Sequence, residues 1–310
     1  MISFFPLFLS AGIATALVTG MTIAASSISN IYIIAFLFIA TMGTVGGLQK
    51  GWHSRAANYK GAFRLIFINI FSGSLPMLLV GLWLGSDTPA GLGFILLAIV
   101  PVAGGIPAYA TALGIPAERI TLFALISYVI AMFLTPAFLG VQTGDIKAQG
   151  FLGVTLFFGL ILPSITGILL ARKIMQVPLK LRRAIIIGSL ILVMFGIGSS
   201  IGGLNLNADS LGAPVLLVVI VGLARAPLGA LIGALLNGST KLRTSVSEAM
   251  LAGGYRNCAL ASVAAMAIGE PAAAIPGALG LASEAILMAM MAVRELLNQR
   301  RNQIRNQPNF

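Results

Sequence analysis

Long apolar runs separated by short polar turns restrict this chain more than any other feature. They fall at about residues 4–25, 31–48, 61–84, 90–113, 118–140, 152–171, 184–203, 211–237, 245–268 and 272–293. Each run is close to the roughly 20 residues that a helix needs to cross a hydrocarbon layer about 30 Å thick. Together the ten runs take up nearly all of the 310 residues and leave no stretch for a separate soluble domain. With 58% of its residues apolar and 9% charged, the chain has more apolar surface than one water-soluble core can hide. The expected fold class is an all-α polytopic membrane protein with ten transmembrane helices. The opening stretch, MISFFPLFLSAGIATALVTG, has no basic segment ahead of its apolar part and reads as a retained first span, not a cleaved signal.

The formal charge of +11 would suggest a nucleic-acid partner in a soluble protein, but here position decides its meaning. Sixteen of the 19 basic residues lie in alternate loops or the tail: Lys50, Arg55, Lys60, Arg64, Arg119, Arg172, Lys173, Lys180, Arg182, Arg183, Lys241, Arg243, Arg294, Arg300, Arg301 and Arg305. The opposite loops hold Lys147 with Asp87, Asp145, Asp209 and Glu270. Basic loops stay in the cytoplasm, which puts both termini there, agrees with an even span count and fits the inner membrane of a prokaryote. The tail RELLNQRRNQIRN would lie near anionic membrane lipid, and no nucleic-acid partner is expected.

Arg225, Arg256 and Glu284 remain inside the expected spans. An arginine at the bilayer centre costs about 2.5–3.5 kcal/mol on the insertion scale, so these groups should face protein or water, not lipid. Near Arg256, Ala252-Gly253-Gly254 repeats Ala103-Gly104-Gly105 at a spacing of 149 residues. The two copies fall in the fourth and ninth runs. They are equivalent positions if residues 1–145 and 146–310 form two five-helix halves, which an odd helix count makes inverted. Pro101, Pro107 and the glycine pairs predict interruptions near Gly104 to Pro107 and Gly253 to Arg256. Paired interrupted segments in matching positions are the sequence mark of a transporter's midplane site, where half-helix N-termini favour an anion and freed carbonyls favour a cation.

At these residues the chain resembles the bile acid:sodium symporter superfamily. The likeness runs from about Phe36 to Val293, and its most specific pieces are Pro101 to Leu113, Leu134-Thr135-Pro136, Gly254 to Ala261 with Asn257, and AAAIPGALG at 272–280. The resemblance implies a core of helices 3, 4, 5, 8, 9 and 10, with helices 4 and 9 broken and crossing, packed against a panel of helices 1, 2, 6 and 7. Sodium-coupled members show G-G-x-x-S-N in the first crossing helix, where this chain has Gly104-Gly105-Ile106-Pro107-Ala108-Tyr109. Their E-x-G-x-Q-N in the second becomes Ala252-Gly253-Gly254-Tyr255-Arg256-Asn257, which keeps only the Asn. A divergent member lacking the usual sodium-site side chains is implied. Arg256 would stand as a fixed replacement for the ion, because a guanidinium repels a second cation.

The expectation is a secondary active or facilitative transporter of a small organic anion, working by alternating access and without sodium. A sodium-coupled symporter of the same fold, or a passive channel or sensor, is the alternative. Gly104, Gly105, Pro107, Tyr109, Thr111, Gly253, Gly254, Tyr255, Arg256 and Asn257 would bind substrate. Arg225 and Glu284 would couple transport, with a proton on Glu284 as the candidate ion. Each assignment has a plainer counterpart. Arg256 can donate to carbonyls freed by a helix break, Arg225 and Glu284 can be a structural pair, and Tyr109, Thr111 and Tyr255 can be interhelical packing. Cys258, the only cysteine, reads as a small packing residue. His53, the only histidine, excludes a His-based metal cluster or triad. No cofactor or metal is expected, and no nucleophile–base pair supports an enzyme.

Overall fold

A computed structural model describes residues 30–46, 57–115, 117–143, 153–202, 208–237, 244–268 and 270–305, together with residues 11, 12, 15, 16, 19 and 150. The expected span at 4–25 lies largely outside the described residues. So do the loop positions Lys50, His53, Arg55, Asp145, Lys147, Lys241 and Arg243. The described residues are helical or in turns, with no strand among them. Among the described residues, four helical stretches are long and apolar enough to cross a membrane: Tyr59–Leu84, Ala117–Gly140, Leu216–Asn237 and Ala272–Asn298. Pro89–Ile99 and Gly153–Leu169 are shorter apolar helices.

Two sets of helices pack more closely within themselves than with each other. In the first, α1 (Asn30–Gly46) lies against a π-helical turn (Phe157–Ile161), α7 (Leu162–Leu169), α8 (Ala171–Gln176) and α9 (Leu179–Gly202). The second begins with α2 (Ala57–Asn69), which passes through a π turn (Ile70–Ser74) into α3 (Leu75–Leu84). It continues with α4 (Pro89–Ile99), α5 (Ile106–Ala112) and α6 (Ala117–Thr143). Its remainder is α10 (Ala208–Asn237), α11 (Val246–Gly254), α12 (Cys258–Ala267), a 3-10 turn (Pro271–Ala274) and α13 (Ile275–Arg305). The sets meet where α9 approaches α12 and α13, where α1 reaches α5, and where the 157–161 turn touches α6.

Local chemistry explains the boundaries. Both π turns are followed by Leu-Pro, Leu75-Pro76 and Leu162-Pro163, with the proline in the first turn of the next helix. A proline has no N–H for the α-helical ladder and clashes with the carbonyl four residues back, and a wider turn relieves both problems. Thr88 caps α4, its hydroxyl accepting from Gly91 N–H at 3.0 Å, and Pro89 follows where a missing donor costs nothing. Gly85 and Gly114 close α3 and α5 with φ of 93° and 72°, a region that side-chain-bearing residues rarely adopt.

The second set repeats one packing pattern. The α2–α3 rod lies against α4 as α10 lies against α11, while α6 packs on α2 and α5 as α13 packs on α10 and α12. Basic residues gather at one end. Arg64, inside α2, donates to Asn237 Oδ1 at 3.2 Å and to the Leu236 carbonyl at 2.9 Å, capping α10. Arg119 on α6 pairs with Glu248 on α11 at 3.3 Å, and Arg294 on α13 donates to Ser247 Oγ at 3.1 Å. These ties join α2 to the last turn of α10, and α6 and α13 to the start of α11. α4 starts past the far end of the α2–α3 rod, after the turn at residues 85–88, whereas α11 starts at the basic end.

Glu248 escapes a sequence reading that counts Glu284 as the single acid within a span. It is buried, and with Ser245 it forms a reciprocal capping box on α11. Glu248→Ala should lower stability by about 1–2 kcal/mol through loss of the cap and the partly exposed Arg119 pair. Thermal unfolding of the purified protein in detergent checks that value.

Candidate functional site

The chain leaves helical geometry at Val100–Gly105, between α4 and α5, and at Tyr255–Asn257, between α11 and α12. These positions differ slightly from those expected. Gly104 and Gly105 lie in the first break, but Pro107 is already in the first turn of α5, where its missing N–H is no loss. Gly253 and Gly254 are the last helical residues of α11, and the second break starts just after them. The breaks touch, with Asn257 N–H donating to the Pro101 carbonyl at 2.8 Å.

Irregular backbone inside a membrane protein must find internal partners, because lipid supplies none. At the first break those partners come from the second break and from α6. Arg256 Nε donates to the Leu97 carbonyl at 3.1 Å, and its Nη2 donates to the carbonyls of Ala98, at 2.6 Å, and Val100. Thr135 Oγ1 donates to the Ile99 carbonyl at 2.7 Å, Tyr128 OH to the Ala103 carbonyl at 3.3 Å, and Val102 N–H to Ser127 Oγ at 3.2 Å. Leu134-Thr135-Pro136 thus owes its polar member to a carbonyl at the end of α4.

Arg256 also donates from Nη1 to Asn69 Oδ1 at 2.6 Å, and Asn69 Nδ2 donates to the Ala252 carbonyl at 2.6 Å. Only 3% of Arg256 is exposed. Four of the five N–H groups of a guanidinium are therefore engaged by the protein, three of them by carbonyls at the negative end of α4. The guanidinium occupies a carbonyl cradle of the kind that holds a cation.

Glu284 on α13 joins the second break to α10. Its Oε1 accepts from Arg256 N–H at 2.7 Å and from Cys258 Sγ at 3.1 Å, and lies 3.8 Å from Arg225 Nη2. Arg225 and Glu284 are 1% and 6% exposed. Asn257 caps α12 by accepting from Leu260 N–H at 3.0 Å, while its Nδ2 is buried with no hydrogen-bond partner among the described residues. Tyr109 and Tyr255 stack obliquely across the two breaks with ring centroids 5.2 Å apart, and Tyr255 OH donates to the Glu284 carbonyl at 3.3 Å. Thr111 lies in α5, its side chain outside the described residues.

Asn69, Ser127 and Tyr128 are not among the residues that the sequence singles out. Asn69 has a legible signal, a lone amide in the apolar stretch RLIFINIFSG. Ser127 and Tyr128 carry none, since the break they serve is 25 residues away. Among the described residues, no group of three or more His, Cys, Asp or Glu side chains is arranged to hold a metal ion.

Fold and site together define an all-helical protein with apolar helices of membrane-crossing length and two helix breaks in direct contact. No protein-family model and no curated protein sequence matches the chain.

Proposed function

We propose that the chain is a secondary transporter that moves a small organic anion by alternating access. In this reading it has ten spans in two inverted five-helix halves, residues 1–145 and 146–310. The two helix sets are a moving core and a supporting panel, as in bile acid:sodium symporters, and the basic end with both termini faces the cytoplasm of a prokaryotic inner membrane. The contact between the breaks carries the proposal, because Asn257 N–H on the Pro101 carbonyl joins two half-helices that enter from opposite ends. The repeated packing of α2–α6 and α10–α13 supports the inversion. Sparse contacts between the sets suit a sliding surface.

Arg256 is the fixed cation of this site. It holds carbonyls that a coupling sodium would otherwise collect, so transport proceeds without sodium, by facilitation or with a proton on Glu284. The test is counterflow in proteoliposomes, screening organic anions found by thermal shift of the purified protein. Saturable exchange of labelled against unlabelled anion supports a carrier. A current that rises without saturation identifies a channel.

A further inference from the structure

The two buried arginines are not equivalent. Arg256 has four donors in short hydrogen bonds, whereas Arg225 makes one long bond, from Nε to the Gly222 carbonyl at 3.4 Å. Arg225 Nη1 and Nη2 are both buried with no hydrogen-bond partner among the described residues, and the carboxylate oxygen that pairs with Nη2 is 3.8 Å away. That oxygen is already held by Arg256 N–H and Cys258 Sγ, so it cannot swing fully onto Arg225 without releasing the second break. Such a group is costly in a protein interior, since a buried guanidinium loses its hydration and recovers little of it from one long hydrogen bond and a carboxylate 3.8 Å away.

Charge points the same way. Around the crossing, the buried charged side chains among the described residues are Arg225, Arg256 and Glu284, and Glu248 is paired at the far end of α11. Two guanidiniums against one carboxylate leave one positive charge without a partner. From this we infer that Arg225 is the anion-recognition residue and that the ligand carries a single negative charge. Its planar two-oxygen edge would lie on the free Nη1–Nη2 edge of the guanidinium. Asn257 Nδ2, also buried at the crossing with no hydrogen-bond partner among the described residues, is the second polar contact. This rests on the anion-carrier reading above and moves the substrate's charge from Arg256 to Arg225.

Nitrate is a suitable probe, because it has the planar oxygen edge and single charge of a carboxylate without a body that a selective site could reject. Full-length protein in detergent is titrated with nitrate replacing sulfate at constant ionic strength, and unfolding temperature is read for wild type, Arg225→Lys and Arg225→Met. Wild type should gain stability saturably. Arg225→Lys should bind about tenfold more weakly, the loss of one charge-assisted hydrogen bond, and Arg225→Met should not respond. Without nitrate, Arg225→Met should unfold at or above the wild-type temperature, because it removes the surplus positive charge.

A nitrate response absent from wild type, or equal in Arg225→Met, overturns the assignment. So does a nitrate-free Arg225→Met that unfolds well below wild type, since that identifies a structural partner of Glu284. Counterflow that survives in Arg225→Met discards this inference and keeps the carrier. Nitrate binding without counterflow of any anion in wild type does the reverse.

Discussion

Replacing Arg256 by methionine should lower stability by about 3–5 kcal/mol, the range for removing one member of a buried charged network. Methionine fills much of the same volume, so a cavity is not the main effect. What is lost is the set of donors for the Leu97, Ala98 and Val100 carbonyls and for Asn69 Oδ1. Each orphaned acceptor costs about 1–3 kcal/mol when water cannot reach it. Thermal unfolding in detergent reads the loss, and trypsin cleavage should become faster in the same variant. Arg256→Lys should recover part of the loss, because an ammonium keeps the charge but cannot reach carbonyls and Asn69 along one planar fork. A methionine variant as stable as wild type would mean that the carbonyls find other partners, and the cradle would lose its meaning.

Gly253→Ala should have the second largest effect. A Cβ at this position would stand 2.5 Å from Ser72 Oγ, 2.8 Å from the Arg225 carbonyl oxygen and 2.9 Å from Gly229 Cα. Two of those three neighbours are backbone, which cannot rotate away as a side chain can. The substitution would push α11 off α10 and off the 70–74 π turn, at a cost near the upper end of the about 1–3 kcal/mol usual for overpacking. Gly254→Ala is a useful contrast, since its nearest neighbour is the Ala226 methyl at 3.0 Å. Expression and unfolding temperature of the two variants should differ, with Gly253→Ala the worse. Equal tolerance at both sites would show that the crossing is looser than its geometry implies.

The sequence carried the apolar runs, and from 31–48 onward a described helix or pair of helices covers most of each run. Hydropathy makes that part legible, because lipid exposure imposes apolar composition on whole segments. The glycine pairs and Pro101 marked the neighbourhood of both breaks for a similar reason, since few residues tolerate irregular backbone. Partner assignment was the illegible part. Arg256 was visible as a buried charge, but its engagement with carbonyls about 156–159 residues away depends on how two half-helices cross. The difference between Arg256 and Arg225 is likewise three-dimensional, because nothing local to either residue tells a guanidinium with four hydrogen bonds from one with a single long bond and a distant carboxylate. Pro107 illustrates the opposite error, a strong local breaker that settles harmlessly in a first helical turn.

If Arg256 is the site's fixed cation, a bound sodium ion has no place to go, since the carbonyls at the end of α4 are taken and the side chains at the matched positions include Ala252 and Tyr109. Purified protein in liposomes, loaded with potassium salt and diluted into either sodium or potassium buffer at equal pH, gives the direct test with a labelled anion that passes the counterflow screen. The same initial rate and the same final level are expected in both buffers. Concentrative uptake driven by the inward sodium gradient alone would contradict it.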